Sequence, residues 1–207
     1  RIICRNGGKL KSPYRHPGVA SGIQIRQYSK VTVDGPESGI YYPYSNRGTL
    51  TVDTYTEGAD VLELKNGGWI ATHNTVATES SKKGTLAVSN GTWRIGQLPF
   101  IPHDKNPCPP DEDARNWFSR PFEGLGKVRI EPDSTLYMQS TSDLEGTEWD
   151  RDFVVADVPM TGSGNLVVTN GVSGYGLSLT FVSSANTATG RIGVAPSADP
   201  TSLQFAN

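Results

Sequence analysis

The sequence predicts an all-β protein, and among all-β folds it favours a β-solenoid. Its 207 residues include 23 Gly and 14 Pro and are only 19% charged, a composition typical of many short strands joined by turns. No window of a dozen residues shows the 3.6-residue apolar period of an amphipathic helix. Instead, short alternating runs recur between Gly, Asp and Asn turns, and one motif recurs three times.

The recurring motif is an alternating aliphatic pair followed by Asn-Gly. It reads "LELKNGGW" at residues 62–69, "GTLAVSNGTW" at 84–93 and "GNLVVTNG" at 164–171. Asn and Gly adopt left-handed backbone angles easily, so Asn-Gly suits either a solenoid corner or a hairpin turn. The first two copies are 24 residues apart and the next is 80 further on, or four steps of about 20. This recurrence favours the solenoid, and an antiparallel β-sandwich or jelly roll is the alternative.

The same sequence pattern divides the chain into two regions. Residues 1–47 are crowded with Gly, Pro and Ser, and predict an irregular N-terminal arm holding one strand or hairpin, "IQIRQYSKVTV". Residues 48–207 predict a domain of β repeats. A proline-rich stretch at residues 97–124 interrupts the repeats and predicts a loop insertion.

The C-terminal repeats resemble those of bacterial autotransporter passenger proteins. The central step of that family's repeat is matched by Ala185, Asn186, Thr187, Thr189 and Gly190. The strand step is matched by residues 84–91 and 134–138. The resemblance is good over residues 162–205 and loose over 48–161. It implies a right-handed parallel β-helix in an extracellular, adhesive or scaffolding protein. The insertion at residues 97–124 departs from the family's pattern.

Charge and hydropathy exclude two classes of partner. The formal net charge is −2 and the isoelectric point is near 5.9, so the chain lacks the basic footprint of a nucleic-acid-binding protein. No apolar stretch approaches the ~20 residues of a membrane-spanning helix. The chain starts at Arg1 without a signal peptide, so we expect a removed leader or a fragment of a longer protein, located extracellularly or at the cell surface.

The two cysteines, Cys4 and Cys108, admit two interpretations. In a secreted protein, a disulfide between them would tie the N-terminal arm to the middle of the chain. Closing a loop of that length stabilises a protein by roughly 4 kcal/mol in the chain-entropy model. The alternative is a pair of free, buried thiols.

The insertion holds the strongest candidates for a metal site. Asp104, Asp111 and Asp113 are carboxylates of the kind that Ca²⁺ prefers. The spacing of an EF-hand is absent, and His103 and Cys108 have no partners at zinc-finger spacing. The alternative is a solvated loop held to the repeats by Trp117 and Phe118.

Aromatic residues suggest a second kind of site. The cluster "IYYPY" and the insertion supply four side chains that could stack on sugars: Tyr41, Tyr42, Tyr44 and Trp117. The alternative is a loop fastened to the core by half-exposed tyrosines.

No catalytic residues are predicted. The three histidines are isolated in the sequence, and neither a Gly-x-Ser-x-Gly turn nor a cofactor motif is present. The rival interpretation is a polysaccharide-acting enzyme, for which Asp104 with Asp113, or Glu145, Glu148 and Asp150, could supply paired carboxylates.

The sequence therefore predicts a structural protein that assembles with copies of itself into a fibre or surface layer. The N-terminal strand would add to a neighbouring subunit through Ile23, Ile25, Val31 and Val33. A carbohydrate-binding or carbohydrate-acting β-helix protein is one alternative. A viral capsid or tail protein with a jelly-roll sandwich is another.

Overall fold

The computed structural model shows an all-β protein. It describes residues 1–11, 22–41, 49–72, 74–77, 82–95, 118–119, 121–140, 151–169, 176–183, 185–195 and 202–205. Every regular element in these ranges is a strand. The all-β prediction is confirmed.

Eighteen strands are present in the described residues. In chain order they are β1 (Ile2–Arg5), β2 (Lys9–Lys11), β3 (Gly22–Ile25), β4 (Val31–Asp34), β5 (Gly39–Tyr41), β6 (Thr49–Val52), β7 (Asp60–Ala71), β8 (Asn74–Val76), β9 (Thr85–Ile95), β10 (Phe118–Ser119), β11 (Lys127–Ile130), β12 (Thr135–Ser140), β13 (Arg151–Ala156), β14 (Met160–Gly162), β15 (Asn165–Thr169), β16 (Gly176–Phe181), β17 (Ile192–Val194) and β18 (Ser202–Phe205).

The strands form three sheets. The largest follows the order β1-β4-β7-β9-β12-β15-β17, with β2, β5, β11 and β14 also paired into it. The other two follow β3-β6-β8 and β10-β13-β16-β18. Every strand pair among the described residues is parallel. An antiparallel sandwich needs antiparallel neighbours, and the described strands provide none.

The chain returns to the same sheet at unequal intervals, and we call each interval a repeat. One aligned position passes through Ile2, Val31, Leu62, Leu86, Val128 and Met160. The steps are 29, 31, 24, 42 and 32 residues, so the predicted regular step of about 20 is wrong. Most of the variation arises where connections differ in length: two residues separate β7 from β8, whereas 22 separate β9 from β10.

The third copy of the sequence motif occupies a different place from the first two. Leu62 pairs with Leu86, as the motif predicts. Leu166, however, pairs with Leu136 in β12, which in turn pairs with Gly91 rather than with Leu86. The same sequence motif therefore occurs at two different strand positions of the repeat, because alternating aliphatic residues suit any strand with one buried face.

In the first two copies of the motif, Asn-Gly lies within a continuous strand and does not reverse the chain. Asn66 and Asn90 have φ angles of 51° and 66°, in the left-handed region that Asn tolerates. The first half of β7 pairs with β4 and its second half with β5, and the register of β7 against β9 shifts between Lys65 and Gly68. The Asn66 side-chain amide donates to Asp34 Oδ1 at 2.8 Å, and Asn90 Oδ1 accepts the backbone N–H of Thr135 at 2.8 Å.

Aligned inward side chains form the core. One column is fully buried along four repeats, through Ile40, Ile70, Trp93 and Met138. Trp93 lies edge-on to Phe122, with ring centroids 5.2 Å apart, and its indole N–H donates to the Thr72 carbonyl at 3.1 Å. Stacking of like positions thus buries a continuous apolar core.

The N-terminal residues belong to the same sheets as the rest of the chain. β4 lies between β1 and β7, and β5 lies between β2 and β7. The described part of residues 1–47 is therefore not an irregular arm. The strands between its Gly and Pro residues are only three or four residues long. Such short strands show too little alternation of apolar and polar residues for the repeat to be recognised from the sequence.

Charged side chains on the outer face join neighbouring repeats. Glu63 is only 7% exposed and accepts a hydrogen bond from Thr32 Oγ1 at 2.9 Å, with Lys30 Nζ at 2.7 Å and Lys65 Nζ at 3.3 Å. Burial acts to raise the pKa of Glu63, but the hydrogen bonds from Lys30, Thr32 and Lys65 outweigh it and leave the pKa below its ordinary value.

We expect Glu63→Gln to lower the free energy of unfolding by about 1–2 kcal/mol at neutral pH, because it removes a charged acceptor. Since the pKa of Glu63 is lowered on folding, its contribution is present above the pKa of the unfolded chain and disappears as pH falls through the folded pKa. Urea unfolding should therefore show that the free energies of unfolding of the native chain and of Glu63→Gln approach each other as the pH falls through this range. The exposed Glu57→Gln serves as the control, and a difference independent of pH would contradict the assignment.

Candidate functional site

Exposed aliphatic side chains concentrate at the first and last strands of the largest sheet. Of the five large exposed aliphatic residues in the described part of the chain, two lie in β1 and two in β17. Ile2 and Ile3 are 48% and 44% exposed, and Ile192 and Val194 are 37% and 41% exposed. We call these two regions the end strands.

Three of these four residues occupy core positions. Ile2 aligns with Val31, which is buried. Likewise, Ile192 aligns with the buried Leu166, and Val194 with the buried Val168. The end residues are therefore exposed because no described strand lies beyond them, although their side chains point where core side chains point.

The backbone of the end strands also presents unused donors. The Ile2 N–H donates to the Lys30 carbonyl at 2.9 Å, so the next N–H, that of Ile3, points away from β4. In β17, the Arg191 carbonyl accepts from Leu166 and the Ala195 N–H donates to Val168. The N–H groups of Ile192 and Val194 therefore point away from β15. Such edges are templates for pairing with another strand.

The residues predicted to mediate assembly lie in β3 and β4, which differ in their neighbours. Val31 and Val33 are buried in β4, which already has partners on both sides. In β3, Ile25 is buried and Ile23 packs partly against the core, and both pair with β6. No described strand pairs with the other side of β3, so β3 is outermost in its sheet. At the N-terminal end of the largest sheet, the outermost described strands are β1 and β2 rather than β4. Alternation in the sequence indicates burial, but it does not show which strand is outermost.

Cys4 lies in β1, and its side chain is a buried, free thiol. Burial raises its pKa, partly opposed by a backbone hydrogen bond at Leu10. A thiol with a raised pKa is a poor nucleophile at neutral pH. Cys108 lies outside the described residues, so the disulfide between the two remains a prediction.

A second feature lies on the outer face of the largest sheet, beside the inward column. Because Ile40, Ile70 and Trp93 point inward, their neighbours in sequence point outward. Four outward side chains lie on the successive strands β2, β5, β7 and β9, and we call them the outer row: Lys11, Tyr41, Trp69 and Arg94. Strand pairing aligns Lys11, Tyr41 and Arg94 with Ala71, and Trp69 lies two residues before Ala71 in β7. The Tyr41 and Trp69 rings are 6.0 Å apart and tilted by 49°.

Cations flank the two rings of the outer row. The Arg94 guanidinium carbon lies 4.4 Å from the Trp69 ring centroid, and Lys11 Nζ lies 6.0 Å from that of Tyr41. Trp69 covers Gly39 so closely that a Cβ there would collide with the indole. Sequence reasoning found Tyr41 but missed Trp69 and Arg94, which become its neighbours only through strand pairing.

The other predicted site residues lie outside the described residues. These are the carboxylates Asp104, Asp111 and Asp113 and the aromatic residues Tyr42, Tyr44 and Trp117. Their proposed roles in Ca²⁺ binding and sugar stacking remain predictions.

The described residues provide neither a metal-binding cluster nor a membrane-spanning helix. No group of three or more His, Cys, Asp or Glu residues in these ranges is placed to hold a metal ion. None of the described residues forms a helix with the length and apolar character needed to cross a membrane.

Comparison of the chain with protein families, with curated proteins and with solved structures found no match.

Proposed function

We propose that the repeats stack as a right-handed parallel β-solenoid. The order in which the chain visits its sheets supports this: β4, β5 and β6 pair with β1, β2 and β3, and β15 and β16 pair with β12 and β13. Connections between parallel strands of one sheet are right-handed in about 98% of cases. In such a stack each repeat contacts only the repeats on either side of it.

The solenoid acts, in this proposal, as an extracellular structural protein that assembles with copies of itself into a fibre or surface layer. The observation that carries the proposal is the exposure of core positions at both ends, at Ile2, Ile192 and Val194. The last strands of one copy would meet the first strands of the next. A contact between unlike surfaces that does not close into a ring builds a filament.

The extracellular location rests on the resemblance of residues 162–205 to autotransporter passenger repeats. Antibodies against the chain should therefore label intact cells of the source organism. Labelling only after the cells are lysed would contradict this location.

Proline substitutions at the end strands test the assembly directly. We expect Ile3→Pro and Val194→Pro each to weaken self-association about tenfold or more, because each removes an outward N–H that no described strand uses. A lost interface hydrogen bond that leaves its acceptor unpaired costs about 1–3 kcal/mol, and 1.4 kcal/mol is tenfold in affinity. Sedimentation velocity over a concentration series, with electron microscopy, gives the measurement.

Matched controls separate backbone pairing from side-chain loss. Ile3→Thr and Val194→Thr keep the N–H group and suit a strand, so they should retain more association than the proline variants do. Unchanged circular dichroism of the proline variants would show that the fold persists. A native chain that remains monomeric at high concentration would contradict the proposed assembly.

A further inference from the structure

Two arginines on the outer face have opposite surroundings. Arg129 donates to both Asp60 oxygens at 3.0 and 3.1 Å and to Glu131 at 2.7 Å, so its charge is fully matched. These carboxylates raise its pKa. Arg94, by contrast, forms no ion pair within the described contacts, and Glu37 acts on it only through longer-range attraction.

The Arg94 guanidinium is also held in place and incompletely hydrogen-bonded. Its Nε is buried and has no hydrogen-bond partner. Burial lowers the pKa of Arg94, as expected for a cation that has lost water without gaining a carboxylate. A guanidinium has five donors in a fixed planar arrangement and matches a carboxylate through two parallel hydrogen bonds.

Trp69 fixes this guanidinium rather than offering a binding surface of its own. One face of the indole covers Gly39 and Arg94 lies over the ring, which leaves the residue 8% exposed. Tyr41 is half-buried beside it and continues the row towards Lys11. The row therefore places two cations at the ends of an aromatic segment that spans four strands, about 14 Å at 4.8 Å per strand.

We propose that the outer row binds an acidic polysaccharide, with Arg94 pairing with a carboxylate of one sugar and Tyr41 contacting the apolar face of a neighbouring sugar. A linear polymer fits a row that crosses successive strands. A carboxylate suits the planar guanidinium of Arg94 through two parallel hydrogen bonds, and the apolar face of a sugar suits the half-buried ring of Tyr41. The row lies along the side of the stack, so this binding does not depend on end-to-end assembly.

Titration calorimetry of the full chain with hexagalacturonate tests the proposal, with the neutral cellohexaose and a six-nucleotide DNA strand as comparison ligands. We expect the native chain to bind hexagalacturonate and to bind neither cellohexaose nor the DNA strand. Arg94→Gln should weaken it at least tenfold, and Arg94→Lys should weaken it less, because lysine keeps the charge but loses the planar stack. Arg26→Gln, an equal charge change at an exposed arginine elsewhere, should leave affinity within about twofold.

Several outcomes would overturn the proposal. These are absence of binding by the native chain, equal binding of cellohexaose, preferential binding of the DNA strand, and equal losses in Arg94→Gln and Arg26→Gln. Thermal melting of each variant checks that it is folded. Should Arg94→Gln fail to fold, Tyr41→Ala takes its place, with a tenfold loss expected and an unchanged affinity contradicting the proposed contact.

Discussion

Replacing Trp93 with alanine is expected to lower the free energy of unfolding by about 3–5 kcal/mol. Trp93 is fully buried, packs edge-on against Phe122 and donates its indole N–H to the Thr72 carbonyl. The alanine variant leaves a large cavity in the middle of the inward column and removes the hydrogen bond from the indole to the Thr72 carbonyl. Urea unfolding followed by circular dichroism gives the difference.

Tyr137→Ala provides a matched control for Trp93→Ala. Tyr137 lies on the next strand, beside Met138 of the same column, but points outward and is 43% exposed. Its removal should cost well under 1 kcal/mol, as for most surface substitutions. Equal losses for the two variants would contradict the assignment of inward and outward faces.

The second large effect is expected at Gly162. This residue has a φ of 93°, which side chains rarely adopt, and a Cβ there would collide with the Ile130 carbonyl oxygen of the paired strand. Backbone strain and overpacking each cost about 1–3 kcal/mol, so Gly162→Ala should destabilise the protein by about 3 kcal/mol or more. Thermal or urea unfolding measures the loss.

Gly193→Ala is the control for the glycine experiment. Gly193 lies in β17, and a Cβ there would meet no atom within 4 Å. We expect a change of less than about 0.5 kcal/mol in either direction. A Gly162→Ala variant as stable as Gly193→Ala would show that β11 and β14 are not paired as described.

Local features of this fold were predictable from the sequence, whereas strand partners were not. Alternation at Leu62, Leu64, Leu86 and Val88 correctly indicated buried strands, and Asn66 and Asn90 do adopt the left-handed backbone angles that Asn-Gly suggests. The pairing of Leu166 was predicted wrongly, because two alternating aliphatic residues do not reveal with which earlier strand they pair. Parallel pairing joins residues a whole repeat apart, and the unequal connections hide that period.

The two candidate sites illustrate the same limit. Ile192 and Val194 form an ordinary alternating pair, and only the sheet order shows that they lie at an end. Trp69 and Arg94 are 25 positions apart and meet only because β7 pairs with β9. A sequence pattern can therefore identify strand faces, but it cannot assemble a site from several repeats.

Distances between spin labels along one outward column test the stacking of repeats most directly. Strand pairing connects Lys9 to Tyr137 in four steps, through Gly39, Trp69 and Thr92, and connects Tyr137 to Gly193 in two more. The labels would be attached to cysteines introduced at Lys9 with either Tyr137 or Gly193, in a chain carrying Cys4→Val and Cys108→Ser. Dilution with unlabelled protein removes distances between copies.

Pulsed electron–electron double resonance should give backbone separations of about 19 Å for Lys9 with Tyr137 and about 29 Å for Lys9 with Gly193, at ~4.8 Å per strand. An increase of about 10 Å between the two pairs is the result that stacked parallel repeats predict. Equal distances, or a shorter distance to Gly193 than to Tyr137, would contradict the solenoid and with it the proposed end-to-end assembly.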